Sequence, residues 1–228
     1  MNLLARKPSL EKLVATSDVI CFQEVRKFDN VVKGVLEQKG WHLSQHLRPD
    51  QSDGGVALAT RKQHSGVVKL TTPSGLETVA ADYCGYRIAC VYAPPELRIP
   101  TNHWTELFKA HDVVAADFNA RHLQWDANTR GTSAAVVRGK ELVDAIAPTS
   151  SRVVAPKGPT RESSTLDFFV VKEEIMTDDP RSGATTSDHN SVTVTIADDV
   201  KDLTAAHTKQ QPDRPRWAKS IAWKKVKK

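Results

Sequence analysis

The chain has 228 residues, 39% of them hydrophobic, with 32 Lys and Arg against 27 Asp and Glu for a formal charge of +5. That length holds one sizeable core, and no run of about 18 apolar residues is present to cross a membrane. The charge permits a polyanionic partner without demanding one, because the final stretch "RPRWAKSIAWKKVKK" is rich in Lys and Arg and has no acid, so the body before it is close to neutral.

Residues 5–16, "ARKPSLEKLVAT", put Leu10, Leu13 and Val14 on one helical stripe, with Ser9 as a cap after Pro8. The next segment, "DVICFQEV" at 18–25, is a short apolar run ending in polar groups, the pattern of a strand covered on both faces. Strands of the same type are predicted at "GGVALATR", "LETVAAD", "YRIACVYA", "DVVAADFN", "STLDFFVV" and "NSVTVTI", separated by Gly, Pro, Ser or Asp turns. Helices are predicted between some of them, near 30–38, 103–109 and 136–147. Many short strands with interspersed helices imply two stacked sheets with helices outside, since each sheet face needs a covering layer. The periodicity ends near residue 197, which divides the chain into a folded domain, 1–197, and a flexible basic linker or tail, 198–228.

The three cysteines, Cys21, Cys84 and Cys90, form no paired framework and have no metal-type spacing, so they are expected to be reduced and buried in strands of an intracellular protein. The N-terminus lacks the apolar block of a signal peptide, and a soluble, uncleaved chain is expected.

Polar residues recur where apolar runs end, the positions at which a rigid sheet hands over to a loop. Glu24 ends the first run, Tyr92 precedes two prolines, Asp117 and Asn119 end "VVAADFN", Asp167 interrupts "STLDFFVV", and Asp188 with His189 precede the last strand. Singly, each has a bland account: a solvated strand end, a core-edge aromatic, an Asx turn, a surface pair. Together, if the ends converge, carboxylates gather where like charges repel unless a hard cation neutralises them. Oxygen ligands without a Cys or His cluster point to Mg²⁺ or Mn²⁺, which in turn suggests a phosphate ester as substrate.

Five segments in order, "DVICFQEV", "VYAPP", "ADFNARHLQW", "STLDFFVV" and "SDHNSV", resemble the endonuclease/exonuclease/phosphatase superfamily. Within it, "DFNA" followed by His122 and Trp125, then "NTRG" and the helix "RGKELVDAI", is similar to the endonuclease domain of non-LTR (LINE-type) retrotransposons. The resemblance implies a deoxyribonuclease I-like fold, a four-layer αββα sandwich of two mixed sheets with outer helices. It implies Glu24 and Asp188 at the metal, Tyr92 reaching the scissile phosphate, Asp117 positioning or deprotonating the attacking water, and Asn119 binding phosphate. Asp167 would hold the His189 imidazole, while Asn2, Arg121, His122, Asn128 and Ser187 would lie along the substrate. The implied activity is Mg²⁺-dependent nicking of double-stranded DNA in the nucleus, as part of a polyprotein with a reverse transcriptase that uses the new 3′-hydroxyl as primer.

Two departures from the family pattern stand out. "NLLARKPSLEKL" aligns with the end of the family's first motif, so a central strand is expected to be absent, and Ala116 replaces the glycine usual before "DFN". The alternatives are a repair enzyme for abasic sites or a phosphatase of the same superfamily, and a non-catalytic DNA-binding relic whose affinity lies in the basic tail.

Overall fold

The computed structural model describes residues 7–25, 30–48, 54–72, 74–185, 187–198 and 218–223, and for 7–9, 30–31 and 218–223 the backbone alone. The chain opens with α1 (Lys7–Thr16), β1 (Val19–Gln23), α2 (Asn30–Gln38), β2 (His42–His46), β3 (Val56–Thr60), β4 (Ser65–Thr71), β5 (Glu77–Tyr83) and β6 (Tyr86–Tyr92). It continues through α3 (Thr101–Ala110), β7 (Val113–Asp117), α4 (Ala134–Ile146), β8 (Ser151–Val154), β9 (Asp167–Lys172), β10 (Met176–Thr177), β11 (Arg181–Gly183), β12 (Ser191–Ala197) and β13 (Ala218–Trp223). α1 begins at Lys7, so Ser9 lies inside the helix and not ahead of it as a cap.

Strand alternation builds the layers. On β1, Val19 and Cys21 face one way and Ile20 and Phe22 the other. The first pair joins Val56, Leu58, Val79, Ile88, Cys90, Val113, Ala115, Phe169, Val192 and Val194 in a core between two sheets. The second pair joins Leu10, Leu13, Val14, Leu36 and Trp41, which seat α1 and α2 on the outside of the first sheet. A third core sets Trp104, Phe108 and Leu142, from α3 and α4, against Val91, Val114, Phe118 and Phe168 of the second sheet. Helices, sheet, sheet, helices: the four-layer αββα sandwich is present.

Both sheets are mixed. The first runs β10-β12-β13-β1-β3-β2 with β11 on β12, and the second runs β4-β5-β6-β7-β9-β8. β6 and β7 are parallel and in register from Ile88 opposite Val113 to Tyr92 opposite Asp117, and antiparallel β9 continues that row with Asp167 opposite Asp117. Tyr92, Asp117 and Asp167 therefore stand side by side at one edge of the second sheet.

The first sheet corrects two expectations. No central gap separates β1 from β12: β13 fills the place, parallel to β1 from Val19 opposite Lys219 to Gln23 opposite Trp223, and antiparallel to β12. Six residues of the segment expected as a flexible tail are thus a strand of the sheet. The physical reason is pairing, because two central strands without a neighbour would leave rows of buried N–H and C=O groups unsatisfied. Cys84 also departs from expectation, since it is exposed in the β5–β6 turn while Cys21 and Cys90 are buried.

Candidate active site

β1, β6, β7 and β9 deliver their polar ends to one edge, and the segment before β12 reaches the same place. Asp117 and Asp167 are the last and first residues of buried strands, at 1% and 0% exposure. His189, just before β12, is 3% exposed. One ligand atom from each of these three lies within 4.8 Å of the others, residues 72 positions apart along the chain at the extremes (189 − 117). His189 Nδ1 stands 2.9 Å from Asp167 Oδ2. That contact fixes the ring and leaves Nε2 as its other functional nitrogen. The neighbouring acid, Asp188, does not orient the imidazole: its Oδ2 lies 3.1 Å from the Arg161 guanidinium.

Backbone conformation aims two further groups. Glu24 and Asn119 have φ of 53° and 46°. This left-handed region costs a non-glycine residue of order 1–3 kcal/mol when the surroundings impose it, less for Asn. The turn after β1 swings the Glu24 carboxylate to the Tyr92 hydroxyl, which donates to Oε1 at 2.8 Å. The turn after β7 lets the Asn119 N–H donate to Asp117 Oδ1 at 3.0 Å, while Asn119 Nδ2 donates to the Ala93 carbonyl at 3.1 Å.

The electrostatics are those of acids lacking enough positive charge. Burial raises the pKa of Asp117 well above the usual carboxylate range, and the charges of Asp167 and Glu24 add to it, opposed by His189 and the Asn119 N–H. Burial also raises Asp167, against the hydrogen bond and charge of His189. For His189 burial disfavours the charged ring, yet the Asp167 hydrogen bond and charge, with Asp117 behind them, outweigh it and raise its pKa. Burial raises the Tyr92 phenol, and Glu24 adds to the effect, so Tyr92 is a hydrogen-bond donor at any ordinary pH.

A hard divalent cation fits this donor set. Asp167 Oδ1 is buried and has no hydrogen-bond partner among the described residues. Asp117, Asp167 and Glu24 offer oxygen donors of the kind Mg²⁺ and Mn²⁺ prefer, and a cation near Asp117 favours the ionised form that burial opposes. Neither Glu24 nor Asp188 belongs to the close group of Asp117, Asp167 and His189.

The remaining expected positions are held by contacts of their own. Arg121 donates to Asp126 Oδ2 at 2.7 Å and to the Asn128 carbonyl at 2.8 Å, and Asn128 Nδ2 donates to the Ser163 carbonyl at 3.1 Å. These contacts make the 121–128 loop self-supporting. His122 stands beside Trp125, ring centroids 5.3 Å apart. Ser187 Oγ lies 3.3 Å from Asp188 Oδ1 and accepts the His189 N–H at 3.4 Å, which braces the turn before β12. Asn2 lies outside the described residues. Sequence reasoning did not single out Arg161, whose charge reaches both Asp167 and His189; an arginine in a polar loop carries no pattern that separates it from a solvated one.

Residues 86–193, which hold Tyr92, Asp117, Asn119, Asp167 and His189, match the family model described as endonuclease-reverse transcriptase. A probable RNA-directed DNA polymerase from transposon BS of Drosophila melanogaster is 30% identical over 102 residues, 40% of this chain and 11% of that protein, so the chain spans about a tenth of that relative's length. Among solved structures, the endonuclease domain of TRAS1, a telomere-specific non-LTR retrotransposon, superposes with a TM-score of 0.54 at 15% identity, covering 76% of this chain and 95% of that one. The 3′–5′ exonuclease NExo from Neisseria meningitidis gives 0.60 at 17% identity over 85% and 95%, and an AP endonuclease from Archaeoglobus fulgidus gives 0.60 at 14% over 85% and 92%. At these identities the structures establish the fold. Over residues 86–193 the chain matches the endonuclease-reverse transcriptase model, and it shares its fold with solved nucleases, so it is similar in that region to the endonuclease domains of non-LTR retrotransposons.

Proposed function

We propose that the chain hydrolyses phosphodiester bonds of double-stranded DNA with Mg²⁺ or Mn²⁺, leaving a 3′-hydroxyl and a 5′-phosphate. The nick would prime reverse transcription in the nucleus by a polymerase of the same polyprotein. The observation that carries the chemistry is the meeting of Asp117, Asp167 and His189 within 4.8 Å at the edge where Glu24 and Tyr92 also end their strands.

In this reading Asp117 orients a water for in-line attack on phosphorus and takes its proton. The Asn119 N–H holds one oxygen of Asp117, so the other is the basic one. His189, kept charged by Asp167, donates toward a non-bridging phosphate oxygen as negative charge develops, and Tyr92 holds Glu24 in place. When bound, the cation supplies charge neutralisation at the phosphoryl and leaving 3′-oxygens. Arg121, His122, Asn128 and Ser187 would line the path of the DNA, with Asp188 beside them.

Conversion of supercoiled plasmid to open circles in Mg²⁺, with the product ends identified by polymerase extension, tests the reading. Nicks that a polymerase extends without phosphatase treatment support it, and an intact plasmid at micromolar protein contradicts it. Arg161 gives a second test. Its guanidinium, 28% exposed and held on Asp188, sits in the loop before β9. Arg161→Ala is expected to weaken binding to all duplex sequences alike and to lower the slope of log K against log salt by about 0.9. Anisotropy titrations over a range of KCl measure this, and an unchanged slope would remove Arg161 from the DNA contact.

A further inference from the structure

α4 presents a buried arginine to the active site from behind. Arg138 is 4% exposed, yet no carboxylate pairs with it within 4 Å among the described residues. Its guanidinium is surrounded instead by backbone carbonyls. Nη1 donates to Ala93 at 3.5 Å, Phe118 at 3.2 Å and Asn119 at 3.4 Å. Nη2 donates to Pro94 at 2.8 Å, Pro95 at 3.3 Å and Leu97. These carbonyls belong to two loops only. One follows β6 and Tyr92, the other follows β7 and Asp117.

Burying a cation is costly unless its donors are satisfied, so six acceptors turned toward one side chain make a built arrangement. The Ala93 carbonyl is shared, accepting from both Arg138 and Asn119 Nδ2. Two prolines in the first loop remove backbone N–H donors, and inside the loop the Leu97 N–H reaches the Pro94 carbonyl at 3.3 Å, so the outside donor Arg138 adds to a sparse local set. The next residue on the helix permits the approach: a Cβ at Gly139 would lie 2.1 Å from the Arg121 carbonyl oxygen, so only glycine lets α4 come this close to the second loop.

We infer that Arg138 is a positioning residue for the reaction, a fork that locks the loop after Tyr92 to the loop after Asp117 and so holds Asn119 in place beside the paired strand ends. The inference rests on the nuclease reading above. A planar guanidinium can serve both loops at once, whereas a lysine ammonium, a point charge with three donors, cannot span them.

The test is Arg138→Lys and Arg138→Ala in the full chain, read by steady-state nicking and by ¹⁵N NMR. Arg138→Lys is expected to lower kcat by about 10²-fold, the loss that follows a misplacement of about 1 Å. KM for DNA should change by less than about threefold, because no phosphate contact is removed. Guanidinium ion at millimolar concentration should restore kcat of Arg138→Ala saturably, which a general loss of stability would not allow. A folded Arg138→Lys with parental kcat overturns the inference while leaving the nuclease reading intact. If the parent itself does not nick, the nuclease reading falls and the clamp is read from the Asn119 side-chain amide signals, expected to shift in Arg138→Lys; unshifted signals overturn it. Should Arg138→Ala fail to fold, Arg138→Lys alone decides through the same kcat and NMR readouts.

Discussion

Asp117→Asn is expected to slow strand nicking by about 10²–10⁴-fold and, in metal-free buffer at neutral pH, to raise the unfolding temperature. The two effects have one cause. Burial and the charges of Asp167 and Glu24 hold the Asp117 carboxyl well above its usual range. A carboxyl raised in the folded state favours folding while pH stays below its unfolded pKa, about 3.9, and that contribution is lost as pH rises through the folded value. Asparagine keeps the shape and accepts the Asn119 N–H, but never ionises. Each kcal/mol relieved should raise the midpoint by about 2–4 °C in a chain of this size. Mg²⁺ should reverse the order, adding about 2.7 kcal/mol to the parent at 100 times its dissociation constant and far less to the variant. Differential scanning calorimetry with and without Mg²⁺ reads both, and a destabilised variant in metal-free buffer would show that Asp117 is comfortably ionised without a cation.

His189→Ala should be the most damaging single change at the site. It removes the imidazole proposed to face the phosphate and strips Asp167 of its His189 partner at a position with 0% exposure. Breaking a buried pair by deleting one member costs about 3–5 kcal/mol. The double change with Asp167→Asn should recover a good part of that, since the orphaned charge is then gone. The pH dependence follows from the raised His189 pKa. The stabilisation from the pair is fully present below the unfolded imidazole value, about 6.5, and is lost as pH rises through the higher folded value. Urea unfolding of the parent should therefore show stability falling on the alkaline side of neutrality, with the slope absent in the double variant. Nicking should fall over the same interval, because the charged ring is the form that donates to the phosphate.

How far the sequence reveals this molecule depends on which forces decide each part. The strands of the two inner faces are legible, because "VICFQ", "VALAT" and "VVAAD" are continuous apolar runs that only a doubly covered strand tolerates. β2, β4 and β8 are not, since "HLSQH", "SGVVKLT" and "SRVV" are half-exposed or solvated and their pairing is decided by the neighbour already in place. β13 is least legible of all: "AKSIAW", in a stretch of Pro, Lys and Arg, reads as tail until two central strands are seen to need a partner.

The same division runs through the site. Glu24, Tyr92, Asp117, Asp167 and His189 sit where buried strands end, and strand ends carry a signal. Asp188 sits next to His189 in sequence, yet in the turn before β12 the two side chains take different partners, Asp188 the Arg161 guanidinium and His189 the Asp167 carboxylate. Arg138 lies on an amphipathic helix where an arginine reads as a solvated face. Its buried environment is set by two loops more than 18 residues away in sequence, which no local pattern encodes.

The claim on which the rest depends is that Glu24, Asp117 and Asp167 gather their carboxylates around one divalent cation. Anomalous diffraction from crystals soaked in Mn²⁺ tests it directly. The account predicts a single strong peak bounded by oxygens of Glu24, Asp117 and Asp167 and lost in Asp117→Asn; a peak elsewhere on the surface, or none at millimolar Mn²⁺, would contradict it.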